Sequence, residues 1–256
     1  MNLLERFNLG HGFDKRFEAV PATTETLRRD VFRLRHEVYC EELKYEPEHA
    51  DRLESDKYDA GSLHCLIRAS SPDIQPAGCV RLILTRADEP AAPLPIETIC
   101  ARALDRSIID PQKLARARIA EISRLAIHPA FRRRGSDGRL PVAINAEDFS
   151  LARGIRFPYI QLGLYLSAVA LAKHHGIASL FVLTEPRLAA YFAKLGVNIR
   201  RIGGPVEHHG IRVPSLLEVQ GVIDGMSSIV KPMWQVIENS IARGFAAENT
   251  PAKKTA

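Results

Sequence analysis

A mixed α/β sheet with helices on both faces, folded as a single domain, is the architecture this sequence predicts. Three observations carry it. Short β-type runs fill much of the first half, and an uncharged helical run, Tyr159 to Ala172, opens the second. A strand, a short helix and another strand then follow in quick succession. The 256 residues suffice for one large domain, and 46% hydrophobic with 25% charged residues is an ordinary composition for a soluble protein.

Residues 1–15 have little periodicity and are expected to be a flexible lead-in or short helix. Arg16 to Val20 reads as a first strand stopped by Pro21. From Thr24 to Leu43, Leu27, Val31, Leu34 and Val38 recur at helical spacing, with Arg35 and Tyr39 one turn apart on a flank. A polar loop, 44–61, holds Tyr45, Asp56, Tyr58 and Asp59. Leu63 to Ala69 and Gly78 to Thr85 read as neighbouring strands, and Ile119 to Ile127 as the central one. Residues 87–116 are broken by prolines, and 135–157 have no readable pattern beyond a polar helix over 143–153. Pro158 and Gly176 bracket a buried helix. Ser179 to Leu183 is a strand, Pro186 to Leu195 a short helix, Val197 to Ile202 a strand and Ser215 to Val222 the last strand. Met226 to Arg243 is helical with Pro232 near its true start, and 246–256 is expected to be a disordered tail.

Several function classes are disfavoured. No stretch supplies the ~18 apolar residues of a membrane span, and Met1-Asn-Leu-Leu-Glu-Arg6 is no secretory leader. A cytoplasmic, non-membrane-spanning protein is expected. The net charge of +5 is mild and calls for no nucleic acid. Cys40, Cys65, Cys79 and Cys100 contain no C-x-x-C pair, and the adjacent pairs His174-His175 and His208-His209 cannot share a face. Buried thiols and no metal are therefore expected.

The run Glu121-Ile-Ser-Arg-Leu-Ala-Ile127, followed by His-Pro-Ala-Phe-Arg-Arg-Arg-Gly135, is the most informative segment. Charged groups in an apolar strand are costly unless partnered or used. Three arginines and a glycine in the turn, Arg132, Arg133, Arg134 and Gly135, suit a phosphate. Together they point to acyl transfer, with an ionised carboxylate at 121 beside a thioester. Strand alternation puts Glu121 and Ser123 on one face and Arg124 on the other. Only a bulge would let both charges line one cleft, and it would free the amides of Leu125 and Ile127 for the thioester oxygen. Ser123 either meets the departing thiol or satisfies backbone.

Arg35 with Tyr39, Asp56-Lys-Tyr-Asp59, Gly78-Cys-Val-Arg81-Leu and Glu121-Ile-Ser-Arg124 stand in the order found in the acyl-homoserine-lactone synthases, which residues 16–130 resemble. Phe32-Arg-Leu-Arg-His-Glu-Val-Tyr-Cys-Glu-Glu-Leu43, Ser62-Leu-His-Cys65 and Leu125-Ala-Ile-His-Pro129 are similar to N-acyl amino acid synthases, in particular the acyltransferase of PEP-CTERM/exosortase systems. Both groups are GNAT acyltransferases. The resemblance implies a GNAT-like fold, a mostly antiparallel central sheet with a splayed cleft. It also implies N-acyl transfer of a long fatty chain from acyl carrier protein to an amino acid.

No permanently bound cofactor is implied. The donor expected is an acyl-phosphopantetheine thioester, on acyl carrier protein in preference to the alternative, coenzyme A: Arg132-Arg-Arg-Gly135-Ser-Asp-Gly138 places its second glycine one position late for a pyrophosphate loop. On this reading Glu121 is the base. Arg35 clamps the acceptor carboxylate or orders the acidic loop, and Arg81 meets either that carboxylate or Asp56 and Asp59. Tyr39, Arg124, Leu125 and Ile127 complete the substrate site. Asp56 and Asp59 also fit the lactone-forming alternative, in which they help hold the sulfonium of S-adenosylmethionine, while Tyr45 replaces that family's Trp. A non-catalytic module that binds acyl carrier protein is a third reading.

Overall fold

The computed structural model describes residues 9–70, 76–131 and 159–248. The strands are β1 (Phe17–Pro21), β2 (Ser62–Ala69), β3 (Pro76–Leu84), β4 (Ile119–Ile127), β5 (Ser179–Thr184), β6 (Arg200–Arg201), β7 (Val206–Glu207) and β8 (Ile211–Glu218). They are ordered β1-β2-β3-β4-β5-β8-β6, with β7 pairing to β8 off that path. Every pairing is antiparallel except β4 with β5.

That parallel pairing positions the site. It runs from Ile119↔Ser179 to Ile122↔Val182 and stops there. β4 continues to Ile127 along β3, and β5 continues to Thr184 along β8. The two central strands therefore part company, and the sheet opens between them.

Helices cover both faces. On one lie α4 (Tyr159–His174) and α7 (Lys231–Glu248); on the other lie α2 (Glu25–Arg35) and α3 (Pro95–Ile99). Every residue of α4 from Ile160 to Ala172 is buried, which is why the uncharged run has no polar face. Gly163 sits where α4 meets β2, α1 (Leu9–Asp14) and α7. A Cβ there would lie 2.7 Å from Ile67 Cδ1 and 2.9 Å from Phe13 Cε2. Gly163→Val is expected to cost about 1–3 kcal/mol by overpacking. Urea denaturation checks this, and an unchanged midpoint would contradict it.

The expected stripe Val31, Leu34 and Val38 is buried, but α2 does not stay regular. From His36 to Glu42 the chain widens into a π-helical turn, a feature common near functional sites. Its wider winding buries Val38, Tyr39 and Cys40 in succession. All four cysteines are buried free thiols.

Several expectations need correction. Over its described part the lead-in takes the short-helix alternative and not the flexible one: Leu9–Asp14 is helical, and Phe13 is fully buried against the core. Residues 246–248 belong to α7 rather than to a disordered tail. The strand expected over 197–202 shrinks to Arg200–Arg201. The last strand starts earlier, at Ile211, and ends at Glu218, where helix α6 (Val219–Gly225) begins. Pro214 hid that early start, since proline normally avoids strand interiors; here its carbonyl accepts the amide of Ile202 at 2.9 Å. The polar helix expected over 143–153 lies outside the described residues.

Candidate active site

Two rows of side chains face α3 and the acidic loop. Cross-strand register aligns His64, Arg81 and Ser123 in one row, and Ile83, Glu121 and Phe181 in the next. Beyond Ser123 the ladder breaks. Cys79 pairs with Ala126 and Arg81 with Ser123, so Val80 alone opposes Arg124 and Leu125. This is the bulge that the strand required. Arg124 adopts φ 46°, left-handed backbone that is costly for a side chain with a Cβ. As a result Glu121, Ser123, Arg124 and Leu125 all line one cleft of about 360 Å³ at the β4–β5 splay.

Glu121 is 4% exposed and pairs with neither Arg81 nor Arg124. One carboxylate oxygen accepts the amide of Ile96 at 2.8 Å. That amide is in the first turn of α3, after Pro95, which has no N–H to offer. Glu97 fixes the turn by accepting the Leu94 amide at 2.8 Å while paired to Arg116 at 2.8 Å. Burial pushes the Glu121 carboxyl up to about 8; the Ile96 amide and the charge of Arg81 only partly oppose it. This corrects the expectation of a carboxylate ionised at neutral pH. The group is instead poised close to the range where a general base works best.

Ser123 Oγ accepts from Arg81 Nε at 2.9 Å. Arg81, 2% exposed, also donates to Asp56 at 2.7 Å and Asp59 at 2.8 Å. Its carboxylate partners are internal. Arg124 reaches Glu46 (2.9 Å), Glu54 (3.1 Å) and Asp56 (3.2 Å), and its guanidinium lies over the Tyr39 ring. The Tyr39 hydroxyl donates to the Leu125 carbonyl at 3.0 Å, tying the π-turn to the bulge.

Three expected substrate contacts do not reach the cleft. Arg35 is fully buried, donates to both oxygens of Asp59 (2.6 and 3.0 Å) and pairs with Glu54. It orders the loop and cannot clamp an acceptor. Asp59 stands behind Asp56 between Arg35 and Arg81. Burial raises its proton affinity, but Arg35 and Arg81 reverse this and hold it well below the usual carboxylate range. Ile127 is fully buried, back in register with Gly78, and its side chain does not line the cleft. Arg132, Arg133, Arg134 and Gly135 lie outside the described residues.

The structure adds residues that the sequence left unmarked. Glu54, 2% exposed, bridges Arg35 and Arg124. His208, His209 and Arg212 also line the cleft, and His209 stacks on Tyr45 with centroids 4.2 Å apart. The pair His208-His209 was visible in sequence, but only as a poor metal site.

Residues 34–140 match the family model of the acetyltransferase (GNAT) domain. No curated protein sequence matches the chain. Among solved structures, the AHL synthase LasI is 18% identical, with a TM-score of 0.55 over 82% of this chain and 95% of LasI. BjaI, a CoA-dependent acyl-homoserine lactone synthase solved with MTA, is 20% identical, with a TM-score of 0.54 over 86% and 98%. FeeM, an N-acyl amino acid synthase from uncultured soil microbes, is 14% identical, with a TM-score of 0.51 over 83% and 96%. The mixed sheet with its parted β4 and β5 agrees with these matches: the chain has the GNAT fold.

Proposed function

We propose that this chain is an N-acyltransferase that moves a long-chain fatty acyl group from acyl carrier protein to the amino group of an amino acid. The observation that carries the reading is Glu121: a buried carboxyl, pinned by one backbone amide, facing a cleft beside a strand bulge. In the reaction the amine attacks the thioester carbonyl, a C–N bond forms, and the C–S bond breaks. Glu121 takes the proton lost by the nitrogen. The Leu125 amide, unpaired in the β3–β4 register, is assigned to the developing oxyanion. Ser123, whose oxygen already accepts from Arg81, keeps its own proton for the departing thiolate.

Arg132, Arg133, Arg134 and Gly135 are assigned to the donor's phosphate. The choice of carrier protein over coenzyme A rests on the spacing of that turn; the CoA-dependence of BjaI is the reason to test both donors. Cytoplasmic location and association with an exosortase system belong to the same proposal.

The lactone-forming reading is supported by the likeness to LasI and by the retained Asp56 and Asp59. It is disfavoured by their occupation. Both carboxylates are engaged by arginine, as are Glu46 and Glu54, which leaves little charge for a sulfonium.

Expression of the chain followed by mass spectrometry of lipid extracts tests the proposal. New N-acyl amino acids are expected with the wild type and none with Glu121→Ala. Homoserine lactones made at the expense of S-adenosylmethionine would replace this reading with the lactone one. No new acyl product would overturn both.

A further inference from the structure

One wall of the cleft is a hairpin whose role the catalytic scheme leaves open. β7 and β8 are joined through His208-His209-Gly210, with His209 at φ 50° and Gly210 at φ 98°. The His208 amide donates to the Gly210 carbonyl at 3.0 Å, and the Gly210 amide to Glu207 at 3.0 Å. These bonds make a defined turn. It presents His208 and Arg212 to the same cleft that Glu121 and Ser123 line. The stack of His209 on Tyr45 fixes the hairpin to the loop that follows the π-turn, on the opposite side of the splay.

Two guanidiniums at this wall keep donors that their carboxylate partners do not use. Arg212 pairs with Glu185 through one amino nitrogen and donates to the His209 carbonyl through the other at 3.3 Å. Its Nε–H has no partner among the described residues. Arg124 engages its three carboxylates through Nε and one amino nitrogen, leaving the second amino group over. Neither His208 nor His209 has an ion-pair partner among the described residues. Burial pushes the half-buried His208 down, and His209, Arg212 and Arg124 push it the same way.

We propose that His208, Arg212 and Arg124 form an anion subsite that holds the acceptor's carboxylate. This deepens the N-acyl transfer reading and rests on it. Two guanidiniums with unused donors around an imidazole suit a planar carboxylate. In an α-amino acid the amine is one carbon away from that carboxylate. A carboxylate held at the hairpin therefore keeps the amine inside the same small cleft as Glu121, and a simple amine is passed over. The donor's phosphodiester offers the same anionic oxygens, so the experiment separates the two sources.

Isothermal titration of the full chain with N-hexadecanoylglycine, with its primary amide and with phosphopantetheine is the test. It is carried out on wild type, His208→Gln and Arg212→Gln, with circular dichroism confirming the fold of each. The acid is expected to bind about tenfold tighter than the amide in wild type. The gap should close in both variants while amide affinity stays unchanged. Equal affinity for acid and amide in wild type, no binding of either, or a gap that survives both substitutions would overturn the proposal. Loss of phosphopantetheine affinity in the variants with the acid–amide gap intact would overturn it in favour of the donor's phosphate. A wild type with the gap but no acyl transfer to any amine would instead count against the function proposed above.

Discussion

Glu121→Gln is expected to lower kcat/KM for acyl transfer by about 10²- to 10⁴-fold, the usual contribution of a positioned general base. Gln keeps an oxygen for the Ile96 amide, so the fold should survive. The pH profile is the sharper readout. With the carboxyl pushed up to about 8, wild-type activity should climb about tenfold per pH unit below that value and then level off. The Gln variant should lack that limb. Stability changes with the opposite sign. The native group binds its proton more tightly than the ordinary value of 4.5, so its contribution to stability is fully present below about 4.5 and is lost as pH rises through about 8. Gln removes this dependence, and the variant should gain on wild type by up to a few kcal/mol across that window. Thermal melts at pH 5, 7 and 9 give the comparison. Wild-type turnover in the Gln variant would eliminate Glu121 as the base.

The largest stability effect should come from Arg35→Met. Arg35 is fully buried and holds Glu54 and Asp59 together beneath the loop. Burial works against its charge, but hydrogen bonds to both carboxylates outweigh that and hold its pKa well above the usual value. Breaking one side of a buried ionic network typically costs about 3–5 kcal/mol, because the charges left behind lose their partner without regaining water. Lys in its place restores the charge but cannot serve both carboxylates with one ammonium group, so its loss should be intermediate. Urea titrations measure all three. A Met variant within about 1 kcal/mol of wild type would mean that the network is far better solvated than the burial of Arg35 indicates. Activity should also fall, since Glu54 links Arg35 to Arg124 on the bulge.

The sequence was most legible where one-dimensional pattern and three-dimensional burial coincide. The buried α4, the strands β2 to β5 and the alternation that sets Glu121 beside Ser123 follow from apolar periodicity and from proline and glycine punctuation. Pattern failed where the backbone leaves its regular period. The π-turn at 36–42 presents Tyr39 and Arg35 to different partners although they are one turn apart, and the early start of β8 lay behind Pro214. For the site, residue types were readable but roles were not. Arg35 could clamp the acceptor or order the acidic loop, and only the structure chose the second by pairing it with Asp59.

What the sequence alone determined about this protein is the mixed sheet with helices on both faces and the presence of an acid, a hydroxyl and an arginine on its central strand. These are local properties, set by side-chain chemistry and spacing along a strand. Only the tertiary structure decided which charges face the cleft. The parting of β4 from β5, the left-handed Arg124 and the approach of the His208–Arg212 hairpin join residues more than eighty positions apart. The proton affinity of Glu121 was likewise decided there, because burial acts through all the atoms that exclude water and no single neighbour in the chain encodes it.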